Sequence, residues 1–472
     1  MLKKIFSNSL IKNGAYYTLG TFILQGINFL TLPLYTRVLT TRDFGITSLY
    51  TAWQAIVVIF LCLQTFSTIQ NAKVSFEDEE YREYNSNIVI LSFISFAFFA
   101  FIIMGFSKPL AKFSGLSVNL IFLMLLHSFF TLGVTFKNTI LRFDGKAEKQ
   151  LFISMFYTVL NVGLSLFFIT SVPSIDKATG KILGAVVPSV ILGGYFYLEI
   201  ILKKRPTFKK EHFIFCLTLG LPLILHNLSH IVLTSSDRMM IEKFIGLEET
   251  GIYGFTYTIG TILSTAAGAF GSAWVPWYFQ RLKEEKHSEI KIYSRNYLDF
   301  FTLVTMGFIF ISPEIVRFMG SADYQSGKYF LPWIIFGCYF IFLYSFPVNY
   351  EFYVKKTNYI ALGTSFSAVI NLVLNYIFIP KYGSFGAALT TLASYFFLFI
   401  FHEIITRKKL HYKLFSPIQY IYRIIIITIS CFIYTKIVDN ILIRYAVILV
   451  LAVIFFVGIF KILKNKKGTV AN

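Results

Sequence analysis

Apolar runs of about twenty residues recur from one end of this chain to the other, the length an α-helix needs to cross a hydrocarbon core of roughly 30 Å. Inside lipid every backbone polar group must be satisfied within the protein, so such a chain crosses as helices or as a closed barrel. A barrel would alternate lipid-facing apolar and lumen-facing polar residues; here the apolar stretches are continuous. Charged residues make up only 14% of the 472 and apolar residues 56%, which excludes a soluble multidomain enzyme. The fold class is therefore all-α, a polytopic membrane protein.

The hydropathy pattern predicts fourteen spans, near residues 12–36, 44–70, 86–107, 116–140, 150–171, 182–202, 213–236, 251–278, 296–313, 329–350, 359–379, 384–405, 416–436 and 441–461. Connections on the side of the N-terminus carry 28 Lys and Arg against 13 on the other side. That bias predicts that both termini are cytoplasmic. It also accounts for the net charge of +19 without nucleic acid. The most basic connection, Lys203 to His212, falls near mid-chain and reads as a linker and a topology anchor on anionic lipid. Cys62, Cys216, Cys338 and Cys431 are far apart within apolar runs and imply neither a metal site nor disulfides.

The two sides of that linker match. Arg37 after span 1 corresponds to Arg238 after span 7, Gly45-Ile46 to Gly251-Ile252, and Gly184-Ala185 to Gly386-Ala387, all at nearly one offset. Six spans per half make the repeat parallel, with an axis along the membrane normal and a substrate site at the interface between the halves. The expected organisation is an N-lobe over 1–205, a C-lobe over 206–412, and two appended spans with a basic tail over 413–472.

The same segments carry a family resemblance. LPLYTRVLTTRDFGITSLYTAW after span 1, LPLILHNLSHIVLTSSDRMMIEKFIGLEETGIYGFTY through spans 7 and 8, and IPKYGSFGAALTTLASY at the turn between spans 11 and 12 resemble the Wzx-type polysaccharide flippases over about residues 10–410. Those proteins are relatives of the multidrug MATE exporters and the lipid II flippase. The resemblance implies two six-helix bundles around a central cavity in the bacterial inner membrane. It implies a substrate too: an undecaprenyl-pyrophosphate-linked oligosaccharide, such as an O-antigen or capsule repeat unit, moved from the inner to the outer leaflet. Membrane lipids, a polysaccharide polymerase and other assembly proteins are the partners it suggests. A MATE-type antiporter of the same fold is the alternative; a membrane polymerase or glycosyltransferase would need a large outer loop with catalytic groups, and no outer loop here is long enough.

Such a substrate needs cations for its pyrophosphate and polar or aromatic walls for its sugars, and ionisable groups within spans are the default candidates. Arg37, Arg238 and Lys137 are the candidate pyrophosphate ligands. Gln25 and Asn28 on span 1, with His226, Asn227 and His230 on span 7, are candidate polar lining, His226 and His230 sharing one helical face. Asp43, Asp237 and His127 are candidates for a gate or for coupling to H+ or Na+. The bland reading of each is local: interfacial snorkelling for the cations, interhelical hydrogen bonding for the others. No cofactor, metal or catalytic residue is expected. No Asp or Glu lies near the centre of a span, which disfavours an exporter that exchanges a proton or sodium ion for a cationic drug.

Overall fold

A computed structural model describes residues 9–469, so the extreme chain ends to which the topology refers lie outside it. The helices are α1 (Ser9–Val38), α2 (Thr41–Cys62), α3 (Ile69–Ser75), α4 (Asp78–Ser114), α5 (Val118–Phe143), α6 (Ala147–Ser171), α7 (Lys177–Lys203), α8 (Lys210–Phe244), α9 (Leu247–Lys283), α10 (His287–Met319), α11 (Leu331–Tyr353), α12 (Thr357–Ile404), α13 (Pro417–Ile437) and α14 (Ile441–Thr469). The all-α class holds: no strand occurs among the described residues. Each predicted span coincides with a helix, except that spans 11 and 12 are the two parts of α12. There the chain reverses through Gly383 (φ 56°, ψ −138°), a left-handed conformation open to glycine because it has no Cβ.

Span 2 ends earlier than predicted. Helix α2 stops at Cys62, Leu63 and Gln64 adopt positive φ, and a short 3-10 turn leads to α3. The 22 residues of α2 still give about 33 Å of helix, enough to cross. The break falls where the apolar run gives way to Gln64, Thr65, Ser67 and Thr68, and it is packed by Gly220 of α8.

The chain separates into two compact units, Met1–Gly251 and Ile252–Asn472. In the first, α5, α6 and α7 pack on one another, and α8 packs on α2 and α4. Glycines permit the closest approaches: a Cβ on Gly133 of α5 would meet the Gly193 backbone of α7, and one on Gly193 would meet the Phe130 carbonyl. Small residues at such crossings let dispersion and weak backbone contacts act in place of a hydrophobic driving force, which lipid does not supply.

The linker is not a free lipid anchor. Asn87 of α4 accepts hydrogen bonds from the backbone N–H groups of Thr207 (3.0 Å) and Phe208 (3.1 Å), and its amide lies 2.8 Å from His212 Nδ1. Ser86 donates to the Ile200 carbonyl, while Lys204 pairs with Glu79 and Lys209 with Glu83. Glu79 accordingly holds the exposed Lys204 ammonium above the ordinary lysine value. The acidic start of α4, EDEEYREYN from Glu77, is the surface to which the basic linker folds.

In the second unit, α13 and α14 are bound to α10 by ion pairs. Fully buried Arg423 of α13 donates to Asp299 of α10 at 2.6 and 3.0 Å. Arg444 at the start of α14 makes a two-pronged contact with Glu314 at 2.6 and 2.7 Å. Both arginines are buried while their carboxylates are partly exposed, so loss of the carboxylate would leave a buried guanidinium uncompensated.

The topology has a direct test. Reporter fusions after Lys209 are expected to report a cytoplasmic position, and fusions after Asp176 an external one. An external signal from Lys209 would rule out both the orientation and the parallel repeat.

Candidate functional site

All the candidate residues fall in the first unit, in three layers along its helices. The layer taken as outer collects the end of α1, the start of α2, the end of α8 and the first turn of α9. Arg37, in the last turn of α1, is exposed and makes no ion pair with a described residue. Asp43 does not neutralise it. Asp43 instead completes a capping box, accepting from the Thr40 hydroxyl (2.7 Å) and backbone N–H (3.1 Å) while Thr40 accepts from the Asp43 N–H. A carboxylate there satisfies orphan amides and favours the positive end of the helix dipole. Asp237 is buried and accepts from the Arg238 backbone N–H at 2.8 Å; the half-buried Arg238 side chain reaches the Thr234 carbonyl at 3.4 Å.

In the same layer the starts of α2 and α9 touch. A Cβ on Gly45 would run into the Leu247 carbonyl, and a Cβ on Gly251 into the Thr41 carbonyl. Thr41 stands four residues before Gly45, and Leu247 four before Gly251. The contact is therefore reciprocal, with residues matched by the sequence repeat facing each other. Arg42 and Glu248 join the same segments at 3.0 Å, but both are largely exposed, so the glycines matter more than the ion pair.

Lys181 is a residue that sequence reasoning missed. Its ammonium, near the start of α7, lies 4.5 Å from the Tyr35 ring centroid and 4.4 Å from that of Phe44, and donates to the Thr47 hydroxyl at 3.4 Å. No described carboxylate pairs with it. Aromatic faces and one hydroxyl stabilise the cation without cancelling its charge. The signal was available, since Lys181 directly precedes predicted span 6 and sits one turn after Lys177, but the positive-inside count treats it as a loop residue. Lys177 itself donates to the Val38 carbonyl and so caps α1.

The middle layer holds the polar candidates. Gln25 and Asn28 are exposed on α1, His230 is exposed on α8, and His226 and Asn227 are half-buried there. The Nδ1 atom of His226 is buried without a hydrogen-bond partner among the described residues. His127 is placed differently. It is buried on α5 with Nδ1 3.2 Å from the Tyr50 hydroxyl, its ring stacked on that of Tyr50. The contact is the interhelical hydrogen bond of the bland reading.

Lys137 lies in the layer taken as inner and is ion-paired. Its ammonium is 2.6 and 2.7 Å from the two Glu199 oxygens, and Lys203 shares that carboxylate. The sequence separation of 62 residues concealed this partner. The second unit has a comparable pair between helices: His402 of α12 lies 2.8 Å from Glu351 of α11, both buried. Glu403 pairs with Arg407, which leaves Glu199, Glu314, Glu351 and Glu403 each with a partner.

The profile of the polysaccharide biosynthesis protein family matches residues 10–282, more than half of the chain. The chain belongs to that family. An uncharacterized membrane protein of Haemophilus influenzae is 24% identical over 381 residues, covering 77% of this chain and 89% of the relative. Among solved structures, the lipid II flippase MurJ in an inward closed conformation superposes with a TM-score of 0.72 at 16% identity, over 95% of this chain and 99% of that one. An inward-facing MATE multidrug resistance transporter of the MOP superfamily gives a TM-score of 0.64 at 14% identity, over 82% and 97%. These likenesses are of fold: the family member has the helical membrane fold shared by a flippase and by drug transporters.

Proposed function

We propose that this chain moves a polyprenyl-pyrophosphate-linked oligosaccharide, such as an O-antigen or capsule repeat unit, from the inner to the outer leaflet of the bacterial inner membrane, and is not an enzyme. The observation that carries the reading is the charge inventory of the first unit. Among the described residues Arg37 makes no ion pair and Lys181 is caged by aromatic rings rather than by a carboxylate, and Arg238 supplies a third cation in the same layer. An anion entering a poorly hydrated space loses solvation worth several kcal/mol, and fixed cations are what replace it. Lys137 is a weaker candidate, because Glu199 already meets its charge. Gln25, Asn28, His226, Asn227 and His230 offer polar groups suited to sugar hydroxyls, or in the case of the imidazoles to coupling by H+; Na+ is the other coupling ion consistent with this reading.

The drug-antiporter reading requires a carboxylate able to exchange its proton or metal ion for a cationic drug. The glutamates nearest the spans instead serve as partners within pairs. The test uses full-length protein in proteoliposomes with a fluorescent polyprenyl-pyrophosphate-linked sugar. Protein-dependent inversion of the lipid is expected, with no dissipation of a cationic dye gradient; the opposite pattern would favour the antiporter. In the same assay Glu199→Gln, Glu314→Gln, Glu351→Gln and Glu403→Gln are each expected to keep inversion per molecule within about twofold of the unsubstituted protein, while yields fall where a buried pair is broken. Loss confined to Glu351→Gln would make the Glu351–His402 pair the coupling site.

A further inference from the structure

A cavity of about 460 Å³ opens between α3, the start of α4, the end of α5 with the loop that follows it, and the end of α7, far along these helices from the Arg37 layer. It belongs wholly to the first unit, at the end that the basic-residue bias assigns to the cytoplasm. Lys73, Arg82, Lys137, Lys146 and Lys203 line it, against the carboxylates of Asp78 and Asp144. Counting Glu199, which serves both Lys137 and Lys203, cations exceed carboxylates by two.

The excess can be located. Lys73 lies between Asp78 (2.9 Å) and Asp144 (3.6 Å), and these carboxylates, Asp78 foremost, hold its ammonium above the usual lysine value. Lys146 reaches Asp144 only at 3.9 Å and is half-exposed. Arg82 is exposed and makes no ion pair with a described residue. The wall carries a second feature. Tyr81 and Asn85, 3% and 4% exposed, line the cavity; the Tyr81 hydroxyl and Asn85 Oδ1 are buried there close to each other, and neither makes a well-formed hydrogen bond with a described residue. Buried polar atoms of this kind are costly unless something meets them. One is a donor suited to an anionic oxygen, the other an acceptor suited to a hydroxyl.

We propose that this cavity binds a phosphate ester carrying hydroxyl groups, supplied by the glycerophosphate headgroup of an anionic phospholipid in the inner leaflet. The phosphate meets Arg82 and Lys146 at the mouth and the Tyr81 hydroxyl inside; a glycerol hydroxyl donates to Asn85 Oδ1. The volume suits a headgroup of this size and leaves the acyl chains outside. A soluble phosphate could satisfy the cations equally well, but it would lack the anchorage of the chains and the hydroxyl for Asn85. Although Lys137 lines the same cavity, its charge is met by Glu199, and the residues proposed to hold the headgroup are not those proposed for the transported substrate, so the site stands or falls apart from the function proposed above.

The test is binding to the purified full-length protein, read by native mass spectrometry and by thermal stabilisation, with phosphatidylglycerol, phosphatidylcholine or inorganic phosphate as the probe. Phosphatidylglycerol is expected to bind and stabilise, and phosphatidylcholine to do neither. An Arg82→Gln, Lys146→Gln double variant is expected to weaken phosphatidylglycerol binding by about tenfold or more, since each cation near the membrane surface contributes about fivefold. Tyr81→Phe removes only the hydroxyl, keeps the packing, and is expected to weaken binding about threefold; Lys413→Gln, a like change of charge in the second unit, is expected to leave it unchanged. Equal binding of phosphatidylcholine, or unaltered phosphatidylglycerol binding in both cavity variants, would refute the site. Binding of inorganic phosphate with the same variant dependence, and none of phosphatidylglycerol, would refute the lipid as the source and assign the cavity to a soluble phosphate.

Discussion

An Arg37→Ala, Arg238→Ala double variant is expected to export less surface polysaccharide per inserted molecule by about a hundredfold, and each single variant by about tenfold. The scale follows from hydrogen bonds to charged groups, which contribute roughly 1.5–3 kcal/mol each when one partner is removed from a poorly hydrated site. Arg37 is exposed at the end of α1 without an ion pair to a described residue, and Asp43, its nearest acidic neighbour in sequence, is committed to capping α2. The Arg37 charge is therefore available to a ligand. Replacement by lysine keeps the charge and loses the planar fork, so Arg37→Lys and Arg238→Lys are expected to retain a substantial part of the activity. Lys181→Met keeps the length of the side chain within the Tyr35–Phe44 cage and removes its charge; it is expected to reduce export without lowering protein level. The competing account has the arginines anchor helix ends in lipid headgroups. It predicts less inserted protein and normal export per molecule. Surface polysaccharide normalised to the amount of protein in the membrane distinguishes the two, and near-normal normalised export from the double variant would remove the pair from the binding site.

The helices were legible in the sequence because lipid imposes one rule on every span. Their ends were less so. The hydropathy pattern carries span 2 to residue 70, although Gln64, Thr65, Ser67 and Thr68 already break the apolar run; the left-handed turn at Leu63 and Gln64 is a matter of backbone geometry packed under Gly220. Charged side chains were visible as candidates, but their partners were not. Lys137 and Glu199 are 62 residues apart, and Arg423 and Asp299 are 124 apart. Nothing local in either segment announces such pairings, which arise only when α5 packs on α7 and α13 on α10. The linker shows the reverse case. Its basic residues and the acidic run from Glu77 were both plain to see, yet separately each had a sufficient explanation in topology and solvation. Only the hydrogen bonds of Asn87 reveal that one folds on the other. Lys181 was hidden by its position, because a lysine at the edge of a span is normally free to snorkel.

The internal repeat led to a stronger structural statement than any single residue did. Gly45 and Gly251, paired by sequence offset, each stand against the backbone carbonyl that begins the other's helix. A methyl group at either position would overlap backbone rather than a side chain, so no rotamer change relieves it, and the starts of α2 and α9 would have to separate. Gly45→Ala and Gly251→Ala are each expected to lower the thermal midpoint of the purified protein by about 3–10 °C, the scale of overpacking costs of 1–3 kcal/mol. Gly163→Ala supplies the control, since a Cβ there meets nothing within 4 Å. The double variant makes the argument specific. If the two glycines serve one reciprocal contact, the first substitution already parts the helices and the second costs little more, so the combined shift should fall well short of the sum. The Arg42–Glu248 pair cannot hold the crossing in their place, since both side chains are more than half exposed and such pairs contribute at most about 1 kcal/mol. Midpoints that simply add, or single variants that behave like Gly163→Ala, would show that the two glycines do not meet in this way, and the match between the halves at this point would then reflect ancestry without contact.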